Sequence, residues 1–191
     1  MNRSPCRDGC PLCCSPKRIS IDPHVLNPSV LSEKDRINDF HCRSEGINKF
    51  ILSEAQPFQE EMLGTTYLFS SNEKIVAFVT LQMAEIKRGS LSRKDRLQIG
   101  RDRYPAVQIG QLAVHVDYEN NDVGTYVLDW SIGKAMKISE QIGCRLVVLN
   151  AEREAIEFYE KYGFGMLPKQ DKRIYPFMFL ELHLHGDQDI L

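Results

Sequence analysis

The sequence has no apolar run near the roughly 20 residues that a membrane span needs, so no membrane partner is expected. It also lacks an excess of charge of either sign. Its 24 Lys and Arg stand against 26 Asp and Glu for a net charge of -2, which argues against a chain built mainly to coat nucleic acid. The opening MNRSPCRDGC lacks the apolar stretch of a secretory signal, which predicts a reducing, cytoplasmic setting. Tryptophan occurs once, as Trp130, and reads as a core or partly exposed contact. No internal repeat and no second core is visible in the 191 residues, and at about 100–200 residues per domain this is one domain with a short appendage. At 42% hydrophobic and 26% charged, the composition is that of an ordinary globular chain.

Cysteine is present, but unevenly. Cys6, Cys10, Cys13 and Cys14 form C-x3-C-x2-C-C, dense enough for thiolates to converge on zinc or an iron–sulfur cluster without long-range folding. A mononuclear zinc site would use Cys6, Cys10 and one of Cys13 or Cys14, closed by His41 or Cys42. The simpler reading is a tail of reduced, unliganded thiols, because a second C-x-x-C pair at zinc-ribbon spacing is missing. Cys144, beside an apolar strand, reads as a small core residue.

Residues 1–30 carry Pro5, Pro11, Pro16, Pro23 and Pro28 with no apolar periodicity, which predicts an extended Cys- and Pro-rich arm ahead of a domain over 31–191. SEKDR, residues 32–36, reads as a capped helix start. Ile47, Phe50, Ile51 and Ala55 recur at helical spacing and predict a helix ending before Pro57. Two β-rich runs flank SSNEK and predict a hairpin. Residues 87–103 are strongly basic and read first as a solvated face, with RNA phosphates as the sharper alternative. PAVQIGQLAVHV, residues 105–116, is a strand. A helix follows over 123–142, with Val123, Val127, Ser131, Ala135, Ile138 and Ile142 on one face and Gly143 as its stop. RLVVLNA is a short strand, EREAIEFYEKYGF a second helix, and RIYPFMFLELHLH a last strand. His183 and His185 share one side of that strand, a weak metal pattern. Helices between the later strands imply a mixed sheet with parallel neighbours, an α/β or α+β layer architecture.

Chemistry belongs where a strand ends at a helix start, and VHVDYENNDVGT is such a junction: exposed N–H groups and the helix dipole there favour phosphate. A strand ending in Leu112, Ala113 and Val114, a turn with Gly124, a strand ending in Asn150, and a helix carrying A-x-x-F-Y-x-x-x-G-F (Ala155, Phe158, Tyr159, Gly163, Phe164) together resemble the GNAT superfamily of N-acetyltransferases. FHCRSEGINKFI and YPAVQIGQLAV resemble the branch that includes tRNA-acetylating toxins of toxin–antitoxin pairs. The resemblance covers roughly residues 30–185 and implies a centrally splayed sheet flanked by helices. It implies direct transfer of acetyl from acetyl-CoA to a primary amine, that of a small molecule or a protein terminus being expected ahead of a charged tRNA, with an antitoxin-type protein or a second copy as partner. By position, Leu112, Ala113 and Val114 would hold the thioester and pantetheine arm. Glu119, Asn120, Asn121, Asp122, Val123, Gly124 and Thr125 would cradle the pyrophosphate. Asn150 would hydrogen-bond the cofactor, and Tyr159 would donate a proton to the departing CoA thiolate. His115 is the nearest base in sequence, although strand alternation turns it away from Val114.

The pyrophosphate turn departs from the usual Q/R-x-x-G-x-G/A pattern. Glu119 stands at the first position and Asp122 at a central glycine, and two carboxylates beside a pyrophosphate repel it. An alternative therefore stands beside the enzyme: a degenerate fold with weak or no acetyl-CoA binding, serving as a binding or regulatory module. Asp122 also reads as the N-cap of the helix that follows.

Overall fold

The computed structural model describes residues 19–182 apart from 97, 99 and 171. The four clustered cysteines, His183 and His185 lie outside the described residues. Seven strands form one sheet in the order β1-β2-β3-β4-β5-β7-β6: β1 (Asn27–Val30), β2 (Thr65–Ser71), β3 (Lys74–Lys87), β4 (Arg103–Val114), β5 (Leu146–Asn150), β6 (Gly165–Met166) and β7 (Phe177–Glu181). Only the β4–β5 ladder is parallel. The chain crosses between those two strands through the long helix α3 (Val123–Ile142), the connection that parallel neighbours require. The expected mixed α/β sheet flanked by helices is therefore present.

Local chemistry explains the elements. The β2–β3 hairpin turns on Asn72 and Glu73, whose φ values of 49° and 64° make the primed two-residue turn that suits twisted strands. Helix α3 stops at Gly143, φ 73°, whose N–H donates to the Ser139 carbonyl. Its inner face buries Val123, Val127, Leu128, Ser131 and Ala135 against the sheet. Ile142, expected on that face, is exposed at the last position of the helix. Trp130 packs edge-on against Phe69 with ring centroids 5.2 Å apart, while staying half-buried. Each large side chain fully withdrawn from water contributes roughly 1.5–3 kcal/mol.

On the opposite face lie α1 (Glu45–Lys49), a π-helical turn (Phe50–Glu54) and α2 (Ala55–Glu60). The helix thus runs through Pro57, where the sequence predicted an end. The Ala55 N–H reaches back to the Phe50 carbonyl, and this wider turn lets the chain absorb a proline that has no N–H to give. SEKDR forms a turn instead of a helix: the Ser32 backbone N–H and hydroxyl both donate to the Asp35 carboxylate, at 2.7 and 2.9 Å.

Part of the expected arm belongs to the domain. β1 extends the sheet edge, Leu26 is buried in the main core, and the Ile19 N–H donates to the Asp117 carbonyl at 2.8 Å. No apolar periodicity announces this, because an edge strand of four residues with Pro28 in it is held by its neighbour's ladder.

Candidate active site

The site originates in one glycine. β4 pairs with β3 at Gln111–Thr80 and again at Ile109–Leu81, so Gly110 is an extra residue, a β-bulge. A Cβ at Gly110 would come within 3.2 Å of the Gln82 side-chain oxygen. The bulge inverts the alternation of the strand. Val107 and Ile109 face the α3 core before it, and Leu112 and Val114 face the same core after it, while Ala113 turns toward Phe78 on the other side. The parallel ladder with β5 ends at Ile109–Leu149, yet β4 runs on to Val114. The two strands splay there, leaving the β5-facing edge of residues 110–114 without a strand partner among the described residues.

A cleft of about 870 Å³ fills this splay. Its floor is Ile109, Gly110, Gln111 and Leu112 with Leu149 and Asn150; Ala155 and Tyr159 of the α4 region form one wall. Ser44, Gly46 and Ile47 close the opposite side, and Glu152, Arg173, Ile174 and Tyr175 stand at the mouth. Of the residues singled out in the sequence, Leu112, Asn150 and Tyr159 line this cleft, whereas Ala113, Val114 and residues 119–125 are not among its lining residues, so the sequence reading reached only part of the cleft. It missed the residues contributed by the α1 start and the β6–β7 loop, since neither carries a pattern of its own. Gly110 had a legible signal: a glycine inside a strand run marks a bulge.

Tyr159 sits on α4 (Ile156–Lys161), its ring edge-on to Phe158 and Phe164 at 5.2 and 5.7 Å between centroids. Burial first, then the Glu152 charge, push its phenol up to about 12. The group therefore keeps its proton throughout the neutral range. Replacing Glu152 with glutamine removes the second cause, so the Tyr159 pKa should fall. Ultraviolet titration of tyrosinate, compared with the same variant carrying Tyr159→Phe, reads the shift; an unmoved titration would remove Glu152 from the Tyr159 environment.

His115 lies elsewhere. Its Nδ1 accepts from the Asp117 N–H at 3.1 Å and its Nε2 faces the Asp39 carbonyl at 3.2 Å, which makes it the Nε2–H tautomer. Both ring nitrogens are engaged, in a depression formed with Phe40, Ile75 and Tyr118, away from the cleft. The alternation after the bulge carries it to the face of Ala113. As a general base it has no free nitrogen and no approach to the cleft, so the structure assigns it a capping role instead. Glu152 is the carboxylate among the residues lining the cleft.

The turn before α3 keeps an unusual shape. Asn120 and Asp122 have φ values of 61° and 55°, the left-handed region that asparagine and aspartate tolerate best after glycine. Asp122 occupies the N-cap position, as expected, but its side chain makes no cap hydrogen bond there. Its carboxylate is exposed and leaves the first N–H groups of α3 uncapped by a side chain. Asn121 Nδ2 donates to the carbonyls of Ile19 and Tyr118 at 3.0 and 3.1 Å, which fixes the turn from inside. Glu119 is paired with Arg43 at 2.5 Å.

Neither residue offered as closing a zinc site stands ready for one. Cys42 is buried with its thiol on the Ser44 carbonyl, and burial pushes that thiol's pKa up, while His41 Nδ1 faces the Asn48 amide at 3.2 Å. Among the described residues no group of three or more His, Cys, Asp and Glu could hold a metal. No helix among them is long and apolar enough to cross a membrane.

A sheet splayed between two parallel strands at a bulge, with a long helix starting beside the opening, is the architecture of acyl-CoA-dependent transferases. The profile of the acetyltransferase (GNAT) domain matches residues 62–165, and the chain belongs to that family. No curated protein matches the sequence. Among solved structures, the chain is similar to AtaT in complex with acetyl-methionyl-tRNAfMet, with a TM-score of 0.74 and 18% identity over 82% of this chain and 94% of that one. A tyrosine-to-phenylalanine mutant of KacT gives the same figures, TM-score 0.74, 18% identity, 82% and 94% coverage. A tyrosine-to-phenylalanine mutant of the AtaT toxin, bound to the C-terminus of the antitoxin AtaR and acetyl-CoA, follows at TM-score 0.67 and 16% identity, covering 82% and 92%.

Proposed function

We propose that this protein transfers an acetyl group from acetyl-CoA to the primary amine of an acceptor by direct attack. The observation that carries the reading is the open β4 edge, whose residues 110–112 line one cleft with Tyr159. Backbone groups of Leu112, Ala113 and Val114 are available to an amide-bearing arm. The turn from 119 to 125 precedes the start of α3, where a helix N-terminus favours an anion, and Asn150 lies exposed at the end of β5 beside the cleft. These residues fit acetyl-CoA, which supplies an acyl group activated as a thioester.

Tyr159 has the hydrogen that a departing thiolate needs. With its pKa near 12, it is a weaker acid than a free phenol, so donating a hydrogen bond to the sulfur is the larger part of its role. Glu152 supplies a negative charge at the mouth, suited to hold an incoming ammonium and to take its proton directly or through water. The acceptor we favour is an amine carried on tRNA. AtaT is seen with acetyl-methionyl-tRNA, and in this chain Arg43 and Arg153 line a depression that shares Ser44, Glu152, Ile174 and Tyr175 with the cleft. AtaT bound to AtaR supports an antitoxin-type partner for the same reading. Isothermal titration with acetyl-CoA, followed by CoA release on addition of aminoacyl-tRNA or a polyamine, tests it. A folded protein that gives no heat with acetyl-CoA would sink the enzyme.

Asp122 favours the second reading, a fold retained as a binding module, because an exposed carboxylate at the phosphate-facing position opposes the cofactor. The same residue offers a graded test. Asp122→Gly removes the charge and suits φ 55°, so acetyl-CoA should bind several-fold more tightly, as calorimetry would show. Unchanged affinity would mean the turn does not meet the phosphates.

A further inference from the structure

The turn before α3 lacks a cation at the position where its relatives in sequence pattern carry glutamine or arginine; Glu119 is there instead. A cation nevertheless reaches the place from another element. Arg43 Nη2 donates to Glu119 Oε2 at 2.5 Å, from a strap, residues 41–44, that passes over the end of β4. The root of that strap is rigid. The Val116 N–H donates to the His41 carbonyl at 2.9 Å, the Cys42 N–H donates to Asn48 Oδ1 at 2.8 Å, and Asn48 Nδ2 returns a hydrogen bond to the Cys42 carbonyl at 2.8 Å. Cys42 itself is 4% exposed.

Beyond this root the guanidinium turns outward: the Arg43 side chain is 77% exposed, against 23% for Glu119. An ion pair so exposed adds little to stability. A guanidinium has five N–H donors, and the pair with Glu119 occupies one end of it. Glu119 opens the turn that holds the left-handed Asn120 and Asp122 and leads into α3, so the pair brings a guanidinium to that turn, and a fork of N–H groups suits a phosphate.

We propose that Arg43 is a phosphate ligand of acetyl-CoA, bridging Glu119 and the pyrophosphate and supplying from the strap the cation that the turn lacks. The assignment rests on the acetyltransferase reading and adds a binding residue to it. Its first consequence is that the negative charge of Glu119 is offset by the guanidinium paired with it.

Titration calorimetry on the full chain with two probes, acetyl-CoA and S-acetyl-pantetheine, which has no phosphate, tests the assignment. Arg43→Ala should weaken acetyl-CoA about tenfold, the size of one charge-assisted hydrogen bond, and leave S-acetyl-pantetheine unchanged. Arg43→Lys should recover part of the loss. Glu119→Gln should bind acetyl-CoA as tightly as the parent or more tightly, since it releases the guanidinium. The assignment is overturned by an Arg43→Ala variant within about twofold of the parent, by equal losses for both probes, or by a Glu119→Gln loss matching that of Arg43→Ala. A parent protein that binds neither probe overturns the acetyltransferase reading and this assignment with it. Binding by the parent with an indifferent Arg43 variant overturns only the assignment.

Discussion

Tyr159→Phe is expected to lower turnover about 100-fold while leaving the acetyl-CoA Kd within about twofold. The ring stays, so its edge contacts with Phe158 and Phe164 and the shape of the cleft wall persist. What disappears is one hydroxyl hydrogen aimed at sulfur that gains charge only as the thioester breaks. An interaction made mainly in the transition state is read in kcat and not in binding. Because burial and the Glu152 charge hold the phenol near 12, the rate should show no descending limb from Tyr159 between about pH 7 and 10. A variant turning over at the parental rate, or one whose loss is wholly in Kd, would remove Tyr159 from the chemistry.

The second large effect is on stability. Phe78 is fully buried on β3, edge-on to Phe40 at 5.2 Å between centroids, within the cluster that seats α1, the π-helical turn and α2 on the sheet. Phe78→Ala should cost about 3–5 kcal/mol, through lost burial and the cavity left behind. Against a typical total of about 5–15 kcal/mol, that is roughly a fifth or more of the stability. The loss should also reach the site, because Phe40 leads into the strap that carries Arg43 and Ser44. Chemical denaturation measures the first effect, and acetyl-CoA titration on the folded fraction the second. A loss below about 1 kcal/mol would show that the two layers do not depend on this contact.

Much of the fold is legible wherever the signal is local. The Asn72-Glu73 turn, the α3 periodicity with Gly143 at its end, and the apolar run of β5 each state their structure within a dozen residues. Failures occur where a distant partner decides. Ile142 keeps the helical period but, at the last position of the helix, stays exposed. Asn27–Val30 has no strand pattern of its own and becomes a strand because β2 has an edge to offer. Pro57 ends a helix by local rule, yet the preceding π-helical turn carries the chain through it.

The site divides along the same line. Leu112, Asn150 and Tyr159 of the cleft are readable, since the A-x-x-F-Y-x-x-x-G-F spacing and the strand ends are contiguous in sequence. His115 also looked suitable in sequence, being the right residue type next to the right strand. The bulge at Gly110 sets which face it takes, and hydrogen bonds from Asp117 and to Asp39 then occupy its ring.

By itself, then, the sequence determined a family, an order of elements and a short list of groups suited to acyl transfer, because periodicity, turn chemistry and residue type act over a few residues. Tertiary structure decided which of those groups share a cavity. Ser44, Glu152 and Tyr175 meet at one cleft, and Arg43 meets Glu119 from 76 positions away, through packing and a sheet splay that no stretch of neighbouring residues encodes.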